Sequence, residues 1–238
     1  GGAATGGAST GGAATGGAAT GGAATGGAAT GGAATGGAAT GGAGTGGAAT
    51  GGAGSGGSSP TLIPTVPGQL VISEIMVDTR ATPDDLGEWF EIYNPSTTAT
   101  YNLMGCAISD LGNGNTHTIG ASLIVAPGAY VTLARTSDVT SMGFAPTYSY
   151  GMTLKFNNDA ADSVRITCNS VTIDVVDFPL SAAGGQSRSL DPRHLSATDN
   201  DVQANWCLGI SLYHATATGS DQGTPGAGNH PQCATAGP

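Results

Sequence analysis

Four acidic side chains close together in the sequence are the residues most able to do chemistry: Asp78, Asp84, Asp85 and Glu88. Several carboxylates on one loop can converge on a cation, and calcium prefers such oxygen ligands. Their spacing differs from that of an EF-hand or a repeat-toxin calcium loop. They are therefore the calcium candidates of this chain, with a solvated acidic loop as the simpler interpretation, and no other cofactor is expected.

Two further carboxylates, Glu74 and Glu91, lie within apolar stretches that read as strands. A carboxylate on a strand beside apolar neighbours needs hydrogen-bond donors, because burial without partners is costly. We interpret both as structural carboxylates that accept hydrogen bonds from backbone N–H groups or from Arg80 or Arg188. This interpretation is preferred over a catalytic pair.

The sequence contains no recognisable catalytic constellation. Ser187 and Ser189 beside Arg188 do not form a nucleophile elbow, and no phosphate-binding loop ending in Lys-Ser/Thr is present. The histidines share no zinc-like spacing with each other or with the cysteines; they are His117, His194, His214 and His230. We therefore expect no catalytic residue and no enzymatic activity.

Four cysteines form an even set: Cys106, Cys168, Cys207 and Cys233. In an acidic chain rich in Thr and Ser, such a set predicts two disulfides and an exported protein. Of the three pairings, Cys106–Cys168 with Cys207–Cys233 is favoured, because the second bond pins a tail rich in Gly and Pro. Four reduced core thiols are the alternative. The expected location is extracellular or at the cell surface.

The composition changes sharply near Pro60. Before it the chain is almost entirely Gly, Ala and Thr; after it come all 6 Lys and Arg and all 16 Asp and Glu, which give a net charge of −10. This charge argues against a nucleic acid or an anionic membrane as partner. No stretch approaches the roughly 20 apolar residues of a membrane span. Without an initiator Met or a signal peptide, the sequence reads as a processed chain.

Residues 1–55 are eleven copies of one unit, Gly1-Gly2-Ala3-Ala4-Thr5, and a degenerate copy follows at residues 56–60. Two glycines per unit cost a helix roughly 2 kcal/mol relative to alanine, and a period of five breaks the collagen register. The period suits a three-residue strand and a two-residue turn. The departures exchange one small residue for another; they are Ser9, Gly44, Gly54 and Ser55.

This repeat can be ordered or disordered. One unit buries too little apolar surface to offset its ordering entropy, so order requires packing against other copies. As a disordered coil, 55 residues span about 40 Å and serve as a spacer. A glycosylated stalk, an ice-binding threonine ladder and a bundle of extended chains are further alternatives. The period resembles that of pentapeptide-repeat proteins, but the bulky central residue of that family is missing.

After residue 68 the pattern changes to the alternation of short strands separated by turns rich in Gly, Asn, Asp and Pro. We expect an all-β antiparallel sandwich over residues 69–233, a connector containing prolines at 61–68 and a tail at 234–238. Trp89 and Trp206 are expected in the core, the latter packed on the second disulfide. The predicted strands are residues 70–77, 88–93, 102–109, 116–119, 129–134, 153–156, 163–168 and 171–177.

The same region resembles a known family, the lamin tail domain, over about residues 69–229. The specific block is Gly87-Glu-Trp-Phe-Glu-Ile-Tyr-Asn-Pro95. Supporting segments are Ile72-Ser-Glu-Ile75, Tyr101-Asn-Leu103, Gly105, Ile108-Ser-Asp110, Val125-Ala-Pro-Gly-Ala-Tyr130 and residues 157–164, 186–190 and 223–229. The resemblance implies an immunoglobulin-like β-sandwich with a binding or structural role. The cysteines and the acidic bias are similar to those of secreted bacterial members.

Two functions from different classes follow. In the first, residues 1–60 pack between subunits as the core of an extracellular bacterial filament, and the sandwich is displayed outside. The protein is then a homopolymer assembled through the repeat, from Gly1 to Ser55. In the second, a monomeric secreted or cell-surface binding module grips a polysaccharide or a protein, and the repeat is its tether.

Overall fold

The computed structural model describes residues 60–110, 114–179, 184–229 and residue 233. The repeat predicted at residues 1–55, with its assembly residues Gly1 to Thr5 and their copies, lies outside the described residues. His230 and the tail at 234–238 lie outside them too. Within the described residues, no helix is long and apolar enough to cross a membrane.

Short strands dominate the described residues, as the alternating pattern predicts. Two one-turn helices, α1 (Asp84–Gly87) and α2 (Val139–Met142), and a 3-10 turn (Gln203–Asn205) interrupt them. The strands are β1 (Thr61–Leu62), β2 (Val71–Met76), β3 (Trp89–Tyr93), β4 (Thr100–Asn102), β5 (Ala107–Asp110), β6 (Asn115–Thr118), β7 (Ile124–Val125), β8 (Tyr130–Ala134), β9 (Tyr148–Ser149), β10 (Asp162–Cys168), β11 (Val171–Phe178), β12 (Arg188–Leu190), β13 (Trp206–Leu208), β14 (Leu212–Ala215) and β15 (Ser220–Gln222).

Two main sheets form the domain. One has the strand order β11-β10-β5-β6 and the other β13-β12-β2-β3-β8-β9; β1-β4-β7 and the hairpin β14-β15 are smaller. All the strand pairs are antiparallel except β1 with β4 and β8 with β9. Apolar side chains from both main sheets form one core, for example Phe90 and Ile92 from the larger sheet with Ile108, Val164 and Ile166 from the smaller. The all-β sandwich expected from the sequence is confirmed.

The larger sheet is covered on both faces. Every residue of β2 is buried, although only alternate side chains of a strand can face one core. On the outer face, Met76 and Trp89 form a second apolar cluster with Ala134 and Met142. Trp89 is a core residue, as predicted, and its indole N–H donates to the Tyr213 hydroxyl of β14. The C-terminal part of the chain thus supplies the cover of the outer face.

Strand β11 is one of the two edge strands of the smaller sheet, and neighbouring segments partly cap it. The Gly68 N–H donates to the Ile173 carbonyl at 2.8 Å, and the Gln203 side chain donates to the Asp177 carbonyl at 2.6 Å. Unpaired edge groups invite pairing with another chain. Capping these groups makes the edge a poor template for association.

The connector at residues 61–68 is also part of the sheet structure. Its first residues form β1, which pairs with β4, and Pro64 is buried. The Gln69 side chain accepts hydrogen bonds from the backbone N–H groups of Thr65 and Val66. The path of the chain is therefore fixed as it reaches the sandwich.

Both predicted disulfides are present. Cys106–Cys168 joins the segment before β5 to the end of β10 inside the core, and Cys207–Cys233 ties the end of the described chain to β13. Trp206, beside Cys207, belongs to the main core, and its indole N–H donates to the Asn200 carbonyl.

Two strand predictions are wrong. Residues 153–156 form no strand, because the backbone of Leu154 and Phe156 bonds with side chains, Arg135 and Glu88 respectively. Residues 102–109 are two strands, not one: Gly105, with a φ of 88°, makes a turn between β4 and β5. The sequence analysis also missed β1, β7, β9 and the four strands after residue 187.

We expect the two disulfides to contribute unequally to stability. The chain-entropy relation gives about 4 kcal/mol for the 62-residue separation of Cys106 and Cys168, and somewhat less for the 26-residue separation of Cys207 and Cys233. Replacing each pair by alanine and measuring urea denaturation tests this. A larger loss of stability in the Cys207/Cys233 variant contradicts the expectation.

Candidate functional site

The acidic loop does not bring the four calcium candidates together. Asp84 accepts hydrogen bonds from the Thr79 N–H and from the Asn158 side chain, at 3.3 and 2.9 Å. Asp78 lies 3.9 Å from the Arg80 guanidinium, and the side chain of Asp85 is exposed. Among the described residues, no three His, Cys, Asp or Glu side chains are placed to hold a metal ion.

The fourth candidate, Glu88, forms a buried ion pair with Arg135. One Arg135 nitrogen lies 3.1 Å from Glu88 Oε1 and also donates to the Leu154 carbonyl, while Nε donates to the Asp85 carbonyl. Glu88 Oε1 accepts a second hydrogen bond from the Phe156 N–H. Burial raises the pKa of Glu88 to about 8, despite the guanidinium beside it. Arg135 was not singled out in the sequence because nothing in its spacing marks it.

Glu74 and Glu91 lie directly opposite each other on β2 and β3, and both are fully buried on the outer face of the sheet. Burial raises the pKa of both carboxyl groups, and the two lie so close that ionisation of one raises the pKa of the other. Two carboxyl groups so placed need several donors. Ser187 supplies one to Glu74, and Ser73 supplies one to Glu91 at 2.9 Å.

The remaining donors come from residues 223–229, which we call the closing loop. The Thr224 N–H donates to Glu74 at 3.0 Å, and the Gly226 N–H donates to Glu91 at 2.7 Å. Gly226 has a φ of 84°, a conformation that favours glycine. A Cβ on Gly223 would meet Glu74 Oε2 at 2.5 Å, so the approach of the loop to the carboxyl group requires glycine.

The interpretation of Glu74 and Glu91 as structural carboxylates is therefore correct in kind but wrong about the arginines. Their donors are hydroxyl and backbone N–H groups. Arg80 is directed toward Asp78, and Arg188 donates to the Gln203 side chain. The sequence held a signal for the true partner, because a loop with three glycines and a proline can approach a sheet closely.

In the described part of the chain, the histidines and serines form no catalytic arrangement. His117 Nε2 lies 2.8 Å from the Tyr148 hydroxyl, and His214 Nδ1 lies 3.9 Å from Asp221 on the neighbouring strand. His194 belongs to a turn. Ser187 is fully buried, with its hydroxyl directed at Glu74.

An open cleft of about 410 Å³ lies beside β11. Residues 172–175 of β11 form one wall, and residues 196–198 with Asp201 form the other. Hydroxyl groups of Thr172, Ser196 and Thr198 lie along it. Burial raises the pKa of Asp174, which lines its floor, to about 7. Such a mixture of hydroxyl, carboxyl and apolar groups suits a polar, uncharged ligand.

Comparison with known proteins gives one finding. Residues 64–179 match the Lamin Tail Domain family. The match supports the resemblance seen in the sequence over those residues, which end just after β11. No curated protein and no solved structure matches the chain. Lamin tail domains are non-catalytic immunoglobulin-like domains, so the sandwich has the fold of that family, and residues 184–229 extend it.

We expect Arg135→Met to destabilise the domain by about 3–5 kcal/mol, because it removes the hydrogen bonds to Glu88 and to the Leu154 and Asp85 carbonyls and leaves these acceptors short of a donor. Arg80→Met is the control: Arg80 lies 3.9 Å from Asp78 and 59% of its side chain is exposed, so little effect is expected. Urea denaturation of both variants at pH 7 measures the difference. Equal effects of the two substitutions contradict a structural role for the buried pair.

Proposed function

We propose that this protein is a non-enzymatic, extracellular binding module whose disulfide-bonded sandwich is carried on a Gly-Gly-Ala-Ala-Thr tether. The main support for this proposal is that the sandwich buries its sheets with its own segments. The chain enters the sandwich along a fixed path, both faces of the larger sheet are covered, and the free edge of β11 is partly capped. Such a domain needs no neighbouring copy to fold.

The two disulfides support a location outside the cell, because disulfides persist in oxidising compartments. The buried ionisable groups support a non-enzymatic role. Glu88 with Arg135, and Glu74 with Glu91, are used to join segments of the fold and lie away from the open cleft.

The cleft beside β11 supports a neutral polysaccharide as the ligand. Sugar hydroxyl groups can pair with the threonine and serine hydroxyls that line the walls and can donate to the exposed carboxylate of Asp201. The net charge of −10 disfavours polyanions. A ligand rich in hydroxyl groups and free of charge meets both conditions.

The regularity of the repeat favours a second candidate, the filament subunit. Eleven units differ only by exchanges among Gly, Ala, Ser and Thr. A spacer requires only flexibility, whereas packing between copies requires side chains that stay small at every position. The negative charge of each domain would then keep neighbouring filaments apart.

Deleting residues 1–58 separates the two candidates, with replacement by a Gly-Ser segment of equal length as the matched control. As a tethered module, all three chains stay monomeric over a wide concentration range. Electron microscopy and X-ray scattering in solution measure this. Fibres that form only from the full chain contradict the tether and support the filament.

We expect Thr198→Arg to weaken retention of the full chain on insoluble neutral polysaccharides such as cellulose or chitin by at least tenfold, since the new side chain fills the cleft. Thr140→Arg, the same change at an exposed position of α2, is the control and should bind as the unaltered protein does. Sedimentation assays give both affinities. Retention that is absent, or equally reduced by both substitutions, contradicts polysaccharide binding at the cleft. Binding to a protein without retention on any polysaccharide indicates that the ligand is a protein.

A further inference from the structure

The hydroxyl group of Thr224 has more acceptors than it has hydrogens. Thr224 Oγ1 lies 2.7 Å from Glu74 Oε1 and 2.9 Å from Asn229 Oδ1. A threonine hydroxyl donates one hydrogen bond only. One of these two oxygen atoms must therefore carry a hydrogen of its own, because two lone pairs facing each other at this distance repel.

The orientation of Asn229 decides which one. Its Nδ2 donates to two backbone carbonyls, Ser73 at 2.7 Å and Leu190 at 2.9 Å. Rotating the amide would place Oδ1 against both carbonyl oxygens and lose both bonds. Asn229 Oδ1 is therefore an acceptor, and the Thr224 hydroxyl donates to it. The hydrogen between Thr224 and Glu74 belongs to the carboxyl group of Glu74.

The other contacts fit this assignment. Glu74 Oε2 accepts from the Ser187 hydroxyl and from the Thr224 N–H, as the carbonyl oxygen of a neutral acid can. Ser189, 3.1 Å from Ser187, can donate in turn to the Ser187 oxygen. Glu91 accepts from the Ser73 hydroxyl at one oxygen and from the Gly226 N–H at the other, an arrangement suited to a carboxylate.

From this hydrogen count we propose that Glu74 is held as a neutral acid at pH 7, and that its proton closes a latch: the closing loop docks on the Glu74–Glu91 pair when the proton is present and loosens when it is lost. The latch is a pH-sensitive device within the domain, separate from the cleft and from the tether.

The groups around Glu74 and Glu91 disfavour a state in which both carboxyl groups are ionised, and so make docking of the closing loop more dependent on the Glu74 proton. Glu91 faces Glu74 from β3. Burial raises the pKa of Tyr130 on β8 and of Tyr213 on β14, and negative charge on the pair raises both further. Ser187, just before β12, and Ser189 within it contribute hydroxyl groups. Asp221 of β15 lies near Tyr213, and His214 of β14 lies 3.9 Å from Asp221. These groups are neutral or acidic, so a second negative charge on the pair is repelled.

The sign of the effect follows from linkage. Burial raises the pKa of both carboxyl groups in the folded state. The folded state then binds more protons than the unfolded chain, so this contribution to stability is complete below the ordinary pKa of a glutamate and is lost as pH rises through the raised value. The loss falls first on the closing loop, whose residues make the contacts.

Glu74→Gln is the sharpest variant. With Nε2 in the place of Oε1, the amide donates to Thr224 Oγ1, while its oxygen accepts from Ser187 and Thr224 as before. The variant should keep the loop closed at every pH. Asp78→Asn is the control, since the pKa of Asp78 is also raised by burial, but its side chain faces the exposed Arg80 and not the closing loop.

Hydrogen exchange of the amides at 223–229, corrected for the intrinsic rate, measures the latch between pH 6 and 9. We expect protection to fall at least tenfold over this range in the unaltered chain and in Asp78→Asn, and to stay constant in Glu74→Gln. The same pH dependence in all three chains, or a loop already open at pH 6 in Glu74→Gln, overturns the proposal. A carbon-13 shift of the Glu74 carboxyl group at its ionised value at pH 7 overturns it independently.

Discussion

The structure depends on the burial of polar groups between the larger sheet and the C-terminal segment. An antiparallel sheet can leave one face in water, and the outer face of β2 and β3 carries two glutamates that would suit such exposure. Here that face is closed instead. Every donor and acceptor on it then requires a partner, because an unpaired buried polar group costs about 1–3 kcal/mol. The closing loop, the hydroxyls before and within β12 and the side chain of Asn229 meet that requirement.

The same constraint explains the order of elements after residue 184. Strands β12 and β13 extend the larger sheet, the hairpin β14-β15 covers Met76 and Trp89, and the closing loop then returns to the two glutamates. The Cys207–Cys233 disulfide ties the end of this path to β13. A second buried pair, Glu88 with Arg135, plays a similar part at the other end of β3, where it replaces strand pairing for residues 154–156.

Much of the fold could be predicted from the sequence because its signals are local. Alternation of apolar residues marks β2, β3, β8, β10 and β11. The even number of cysteines, one of them in a tail rich in Gly and Pro, favoured the pairing that the structure has. The failures arise where side chains replace backbone partners. Residues 153–156 look like a strand, yet their carbonyl and N–H groups bond with Arg135 and Glu88. The partners of Glu74 and Glu91 are hydroxyl groups and backbone N–H groups of the closing loop. The glycines and the proline of that loop indicate that it can approach a sheet closely, but no spacing shows which residues it approaches. The acidic loop offered four carboxylates as calcium candidates beside the simpler interpretation of a solvated loop, and in the structure Asp84 accepts from Asn158 and Glu88 pairs with Arg135.

The central claim is that the C-terminal segment completes the buried outer face, although the family match ends at residue 179. Urea denaturation of a chain ending at Pro179, followed by tryptophan fluorescence, tests it most directly, because Trp89 is then the sole reporter and lies on that face. We expect no cooperative transition, because Glu74 and Glu91 lose the donors of the closing loop, and Met76 and Trp89 lose the hairpin that covers them. A cooperative transition as stable as that of the full chain would contradict it.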